Sequence, residues 1–389
     1  MKQVYLDYNA TTPLDERVLE SMLPYLKEKY GNASSVHNFG RDAKTAIEDA
    51  REKVAAILNA DSSEIYFTSG GTESDNLALK GAAYINQSKK NHIITSSIEH
   101  HAVLESAKFL EKNGFKADYL TVDQYGTVST DDLKNKLTDN TSVVSVMHSN
   151  NEVGTIQDIK SLTEIAKEKG ALFHTDAVQS GGKIKIDVKE LGVDLLSMSG
   201  HKIYGPKGTG IIFIRKGVRV APLFHGGHHE KKRRPGTEDV PGIVGFAKAL
   251  EIAESMREQE HARWKELADF FIDGVQAKVP DVFLNGPRDE RRIPSTVNMS
   301  FKAIEGESII LSLDMKGIGV ASGSACTSGS LEASHVLMAM GVPVELAQGS
   351  IRFSLGRYTT KDDLQYTIDV LPEIIDRLRA MSPLYSKQD

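Results

Sequence analysis

Ile65-Tyr66-Phe67-Thr68-Ser69-Gly70-Gly71-Thr72-Glu73-Ser74 is the stretch on which the fold turns. Its first four residues are a short apolar run of strand-forming types. A glycine pair breaks that run, and a helical pattern follows from about Asp75 to Tyr84. The same switch recurs on both sides of it. His92 to Ser97 reads as a strand, and Ala102 to Lys112 as an amphipathic helix. Val143 to His148 is strand-like, Leu162 to Lys169 helical, and Leu172 to Thr175, Leu195 to Ser199 and Gly210 to Ile214 are strand-like again. Strands alternating with helices over this length predict an α/β fold, with a mostly parallel central sheet covered by helices on both faces. A long helix without proline follows from about Ile243 to Lys278. Beyond it, strands at Pro294 to Phe301 and Ile351 to Leu355 mix with helices at Ser308 to Met315, Ser334 to Met340 and Asp362 to Met381. That mixture predicts a smaller α+β C-terminal domain. The expected division is a large domain over 13–255 and a small one made of 1–12 and 256–389.

The 389 residues allow two or three domains. With 47 basic against 53 acidic residues the net charge is −6, which argues against nucleic acid as a direct partner. No apolar run comes near the ~20 residues of a membrane span. Met1-Lys2-Gln3-Val4-Tyr5 leads straight into a strand-like run, without the pattern of a secretory signal. The cytoplasm is the expected location. A single cysteine, Cys326, excludes intramolecular disulfides and multi-cysteine metal sites.

Five motifs follow strands, and the carboxyl ends of strands are where open α/β sheets bind ligands. Ser69 to Ser74 can turn backbone N–H groups toward an anion, aided by a helix dipole; the same residues would also serve as a tight turn with an N-cap. The loop is neither a Walker loop nor a dinucleotide fingerprint, which argues against ATP and NAD. Lys202, in Ser199-Gly200-His201-Lys202-Ile203-Tyr204-Gly205-Pro206-Lys207-Gly208, can form a Schiff base if its environment lowers its pKa; most lysines are simply solvated. Asp176, in His174-Thr175-Asp176-Ala177-Val178-Gln179, can pair with a protonated pyridine nitrogen or cap the next segment. His148-Ser149-Asn150-Asn151 brings an amide to the same edge, and Glu99-His100-His101 an imidazole that could stack on a ring or carry a proton. Lysine, carboxylate, amide, imidazole and phosphate loop together match what a pyridoxal-phosphate site requires.

Arg352, in Ser350-Ile351-Arg352-Phe353-Ser354, suits a bidentate hold on an amino-acid carboxylate, or else a surface ion pair. Cys326 lies in Ala321-Ser322-Gly323-Ser324-Ala325-Cys326-Thr327-Ser328-Gly329-Ser330, a small, polar stretch that predicts a mobile loop with an exposed thiol rather than a buried one. His225-Gly226-Gly227-His228-His229-Glu230 is a poor metal site, since adjacent histidines do not easily chelate one ion. Lys231, Lys232, Arg233 and Arg234 instead suit a phosphate or an acidic partner.

These residues resemble the cysteine desulfurases of the NifS/IscS type, within the class V aminotransferase family of pyridoxal-phosphate enzymes. The resemblance rests on Tyr5 to Pro13, Asn150 to Thr155, Ser199 to Gly208, Gly236-Thr237 with Pro241 to Gly245, Ser322 to Ser328 and Arg352 to Tyr358. It spans nearly the whole chain in the family's order. It implies the type I pyridoxal-phosphate transferase fold, a homodimer, and release of L-alanine from L-cysteine with the sulfur left as a persulfide on Cys326. Lys202 would bind pyridoxal 5'-phosphate covalently and act as the base. Asp176 would meet the pyridine nitrogen, Gln179 the phenolic oxygen, and His100 would stack on the ring. Gly71, Thr72, Ser199 and His201 would hold the phosphate, with Thr237 contributed by the other subunit. Asn151 and Arg352 would bind the substrate carboxylate. The long 319–334 stretch resembles the branch that works with iron–sulfur scaffold proteins of the IscU/NifU type, and a role in tRNA thiolation stays open beside it. Where the family commonly has Arg-Ser-Gly-Thr, this chain has Arg234-Pro235-Gly236-Thr237.

Overall fold

The computed structural model describes residues 2–322, 333–383 and 385. Among the described residues the strands form three sheets. Seven strands make the largest: β2 (Ile65–Thr68), β3 (His92–Ser96), β4 (Lys116–Leu120), β5 (Thr141–Ser145), β6 (Leu172–Asp176), β7 (Leu195–Ser199) and β8 (Gly210–Ile214), preceded in the chain by β1 (Val4–Tyr5). Their spatial order is β2-β8-β7-β6-β5-β3-β4. β3 to β7 pair in parallel, as their continuous apolar runs predict for strands covered on both faces. β8 is antiparallel to both neighbours. The connection from β7 to β8, residues 200–209, is too short to hold a crossover helix, so the chain returns as a neighbour of opposite direction. β2 therefore runs the same way as β7, and the carboxyl ends of β2, β3, β5, β6 and β7 share one edge.

β9 (Val282–Asn285), β10 (Thr296–Phe301) and β12 (Ser350–Ser354) form an antiparallel sheet in the order β12-β10-β9. β1 pairs in parallel with β11 (Ile318–Gly319), so the first residues pack with the C-terminal part of the chain. Four buried apolar clusters result among the described residues, and the two largest share one long helix. One surrounds Phe173, Phe213 and Phe246. The other gathers Leu6, Trp264, Phe271, Phe301 and Phe353. The helix Val240–Lys278 joins them, giving Phe246 to the first and Trp264 and Phe271 to the second. It starts before the expected Ile243 because Asp239 caps it, accepting from the Gly242 N–H at 3.1 Å, and Pro241 fits a first turn that needs no N–H.

Sequence reasoning passes over the helices Glu16–Lys27 and Asn38–Leu58. The first contains Pro24. The second buries a stripe of mostly small residues, Ala43, Ala46, Ile47, Ala50 and Val54, whose period is helical but whose apolar bulk is low. No helix among the described residues is long and apolar enough to cross a membrane.

The basic run, expected to suit a phosphate or an acidic partner, is partly engaged within the chain. Glu230 is buried and accepts from both Arg51 nitrogens, at 2.8 and 2.9 Å, and from the Phe67 N–H at 2.9 Å. That anchor holds Glu230, Lys231 and Lys232 at positive φ. Arg233 then lies over the Tyr66 ring, 4.7 Å from its centroid, and Arg234 pairs with Glu73 at 2.9 Å.

Candidate active site

β6 ends at Asp176, which is buried and accepts from the Val178 N–H at 2.8 Å. Burial pushes its carboxyl up to about 6, against the opposing pull of the Val178 N–H and the Lys202 charge. Behind it lies Asp75, also buried, its carboxyl raised well above the ordinary range by burial and then by the Asp176 charge. β7 ends at Ser199, and one 3-10 turn, Gly200–Lys202, carries Lys202 to the same edge. The Lys202 amine donates to the carbonyls of Asn9 at 2.6 Å and Ala10 at 2.8 Å. The N-terminal segment is laced along this turn: Thr12 N–H and Oγ1 both reach His201 O at 3.0 Å.

After β2 the chain turns at Gly70, whose φ of +148° suits only glycine, and starts the helix Gly71–Asn86. A side-chain carbon at Gly210 would lie 2.7 Å from the Gly70 Cα, so both glycines are needed for the loop to lie against β8. The helix start leaves its first N–H groups without intrahelical acceptors. They face a cleft of about 380 Å³ lined by Thr11, Gly71, Thr72, Ser199 and His201 among others. A second cleft, of about 550 Å³, adjoins at Thr72 and contains His100.

His100 follows β3 and caps the helix His101–Lys112, its Nδ1 accepting from the Ala102 N–H at 3.1 Å. Burial pushes its pKa down to about 4, helped by the Lys202 charge, so the ring is neutral at physiological pH. After β5, Asn150 is structural: its Oδ1 accepts from Glu152 and Val153 N–H groups, and its Nδ2 reaches Ile98 O. Asn151 O accepts from Arg352 Nη1 and from Asn9 Nδ2, both at 3.1 Å. Arg352 comes from β12 across the gap between the sheets; it is buried and bonds Asp7 at 2.8 Å, while its Nε finds no acceptor. Gln179 donates from Nε2 to Asn9 O at 2.9 Å.

Lys202, Asp176, Gln179, Ser199, His201, Gly71, Thr72, His100, Asn151 and Arg352 thus gather around one edge. Thr237 does not join them within this chain: it is exposed, in the loop before the long helix. Cys326 lies outside the described residues. The sequence reading missed Asn9 and Lys183. Both stood inside quoted or adjoining motifs, but neither is a residue type that announces a role.

Pyridoxal phosphate fits these residues. Its phosphate would meet a cradle of helix-start N–H groups and hydroxyls, with Lys207 lining the same cleft, and the absence of a Gly70 side chain leaves the approach open. Its ring nitrogen would find Asp176, its aldehyde carbon Lys202, and one face of its ring the neutral His100.

Residues 4–367 match the family model described as aminotransferase class-V. The chain is 57% identical over 382 residues to the cysteine desulfurase IscS of Dictyoglomus turgidum, covering 98% of this chain and 97% of that one. It is 54% identical to the cysteine desulfurase IscS of Methanosarcina thermophila, over 100% of this chain and 95% of the other. A solved structure described as a NifS-like protein superposes with a TM-score of 0.91 at 43% identity, over 97% of this chain and 100% of its own. The chain belongs to the class V aminotransferases and, among them, to the cysteine desulfurases of the NifS/IscS type.

Proposed function

We propose that this protein is a pyridoxal-phosphate-dependent cysteine desulfurase that takes sulfur from L-cysteine and leaves it as a persulfide on Cys326. The observation that carries this reading is the buried Asp176 beside Lys202 at one sheet edge, next to a helix start built for an anion. Gly71, Thr72, Ser199 and His201 hold the phosphate, Asp176 the ring nitrogen, Gln179 the phenolic oxygen, and His100 covers the ring. Bound there, the cofactor supplies an aldehyde that condenses with an amine and a ring that draws off electron density.

Arg352 and Asn151 fix the substrate carboxylate, Arg352 exchanging its Asp7 contact for it. Lys202 would take the α-proton. Asp176 stays ionised opposite a cation and so keeps the ring electron-poor. Cys326 attacks the substrate sulfur as a thiolate. The sum balances: an S–S bond forms, a C–S bond breaks, and the carbon left behind takes up a proton to give L-alanine.

The two largest apolar clusters support a large domain over 13–255 and a small domain of 1–12 and 256–389. The exposed Thr237 suits a phosphate contact in the site of a second copy, hence a homodimer. An iron–sulfur scaffold is the sulfur acceptor proposed, in the cytoplasm. The test is release of alanine and sulfide from L-cysteine, with pyridoxal phosphate and a reductant, by the parent and by Cys326→Ala. Equal amounts from the parent and none from a mutant that stays yellow support the reading; a yellow parent idle on cysteine would overturn it.

A further inference from the structure

Lys183 lies four residues beyond Gln179, in the turns that follow β6, and is buried. Its amine donates to Gln179 Oε1 at 3.0 Å and to Asn9 Oδ1 at 3.2 Å. Both partners are amide oxygens; neither is a carboxylate. A buried lysine held this way is unusual, because burial without an opposite charge is costly. Burial, with Lys202 and Arg352 nearby and only Glu260 opposing them, draws its pKa down to about 7. Neutral or charged, the amine keeps at least two N–H donors for its two oxygens.

The consequence falls on Gln179. A side-chain amide has one accepting and one donating end, and it can turn over. Lys183 offers donors to one end, and the Asn9 carbonyl offers an acceptor to the other, at 2.9 Å. Only one orientation satisfies both. The Asn9 carbonyl also accepts from Lys202, so the N–H₂ end of Gln179 and the Lys202 amine converge on one oxygen.

We propose that Lys183 is a positioning residue that locks the Gln179 amide with its N–H₂ end toward the site, where it donates to the phenolic oxygen of pyridoxal phosphate. This rests on the reading that the site holds that cofactor. A hydrogen bond to that oxygen stabilises its ionised form and sets where the yellow band titrates. Without Lys183 only the Asn9 carbonyl is left to orient the amide, and the turned-over form, which presents an oxygen to the phenolic oxygen, gains population.

The test is the pH titration of the visible band of the cofactor-loaded full chain, for the parent, Lys183→Met, Gln179→Ala and the double variant, with kcat and KM for L-cysteine alongside. Lys183→Met is expected to move the midpoint by about one unit. It should lower kcat about tenfold with KM little changed. In the Gln179→Ala background the same substitution should do nothing further. A midpoint unmoved by Lys183→Met, or moved equally with and without Gln179, overturns the proposal. Should Lys183→Met not fold, Lys183→Gln serves: its amide offers both donors and an acceptor, so a smaller displacement that again needs Gln179 is expected, and one that survives loss of Gln179 overturns the idea. A parent with no yellow band at all would sink the functional reading itself, an outcome distinct from a normal parent band that ignores Lys183.

Discussion

Arg51 and Glu230 are buried, as are Asp176, Asp75 and Glu99, yet the two groups of charges are treated in opposite ways. Arg51 and Glu230 meet in a two-pronged contact, and each has a further backbone partner, Ile65 O at 2.7 Å and Phe67 N at 2.9 Å. Arg357 is handled likewise, between Asp15 at 2.6 Å and Glu260 at 3.1 Å. At the sheet edge, by contrast, carboxyls stand near one another. Asp75 Oδ1 and Glu99 Oε2 have no hydrogen-bond partner. His174 is 3.6 Å from Asp75, and burial drives the pKa of its ring down to about 3, so it brings no charge. Matched burial holds the fold, while unmatched burial raises carboxyl pKa values and leaves groups ready for a bound ring.

The comparison breaks first at Asp176. Asp176→Asn should lower kcat about a thousandfold while leaving the melting temperature of the cofactor-free protein level or higher. A kcat within tenfold of the parent would remove Asp176 from the chemistry. The converse change is Glu230→Ala, which strands Arg51 in the core. It should cost about 3–5 kcal/mol in urea unfolding with kcat/KM of the folded enzyme little changed. A stable variant would mean that the pair is not what holds the 228–234 segment.

Glu99 sharpens the contrast through pH. Burial pushes its carboxyl up to about 8, from an ordinary 4.5, against the pull of Ser96 Oγ and the Met147 N–H. Between those values the native state keeps a proton that the unfolded chain has lost. Its stability is therefore complete below about 4.5 and drains away as pH rises to 8. Glu99→Gln should flatten that decline, gaining up to about 4 kcal/mol on the parent at pH 8. Equal slopes in urea midpoints at pH 5 and pH 8 would refute it. The smallest effect is expected at Thr72, which serves the phosphate with a neutral hydroxyl: Thr72→Ala should weaken cofactor binding about fivefold, read by equilibrium dialysis.

The alternation of apolar runs and helical patterns made the central sheet legible because period and length are local properties. The strand direction of β8 was not read out, since it depends on what a short connection forbids rather than on residue type. The site residues were legible where a residue type has few other uses at a strand end, as with Lys202 and Asp176. Asn9 escaped because its role comes from partners far along the chain: Asn151, Gln179, Lys183, Lys202, Thr296 and Ser354. The basic run was read only in part for the reverse reason: its composition suits an acidic partner, and only the placement of Glu230 brings Arg233 over Tyr66 and Arg234 to Glu73.

Residues 7–12 carry a consequence for the order in which the protein matures. Asp7 is bonded to a residue 345 positions onward, and Asn9 to one 193 positions onward. On a growing chain those early residues wait without partners while the sheet beside them forms. β12 must be made and folded before Arg352 can hold them down. The pocket for the cofactor is therefore among the last parts to close, and colour acquired during synthesis would report a finished molecule rather than a folding one.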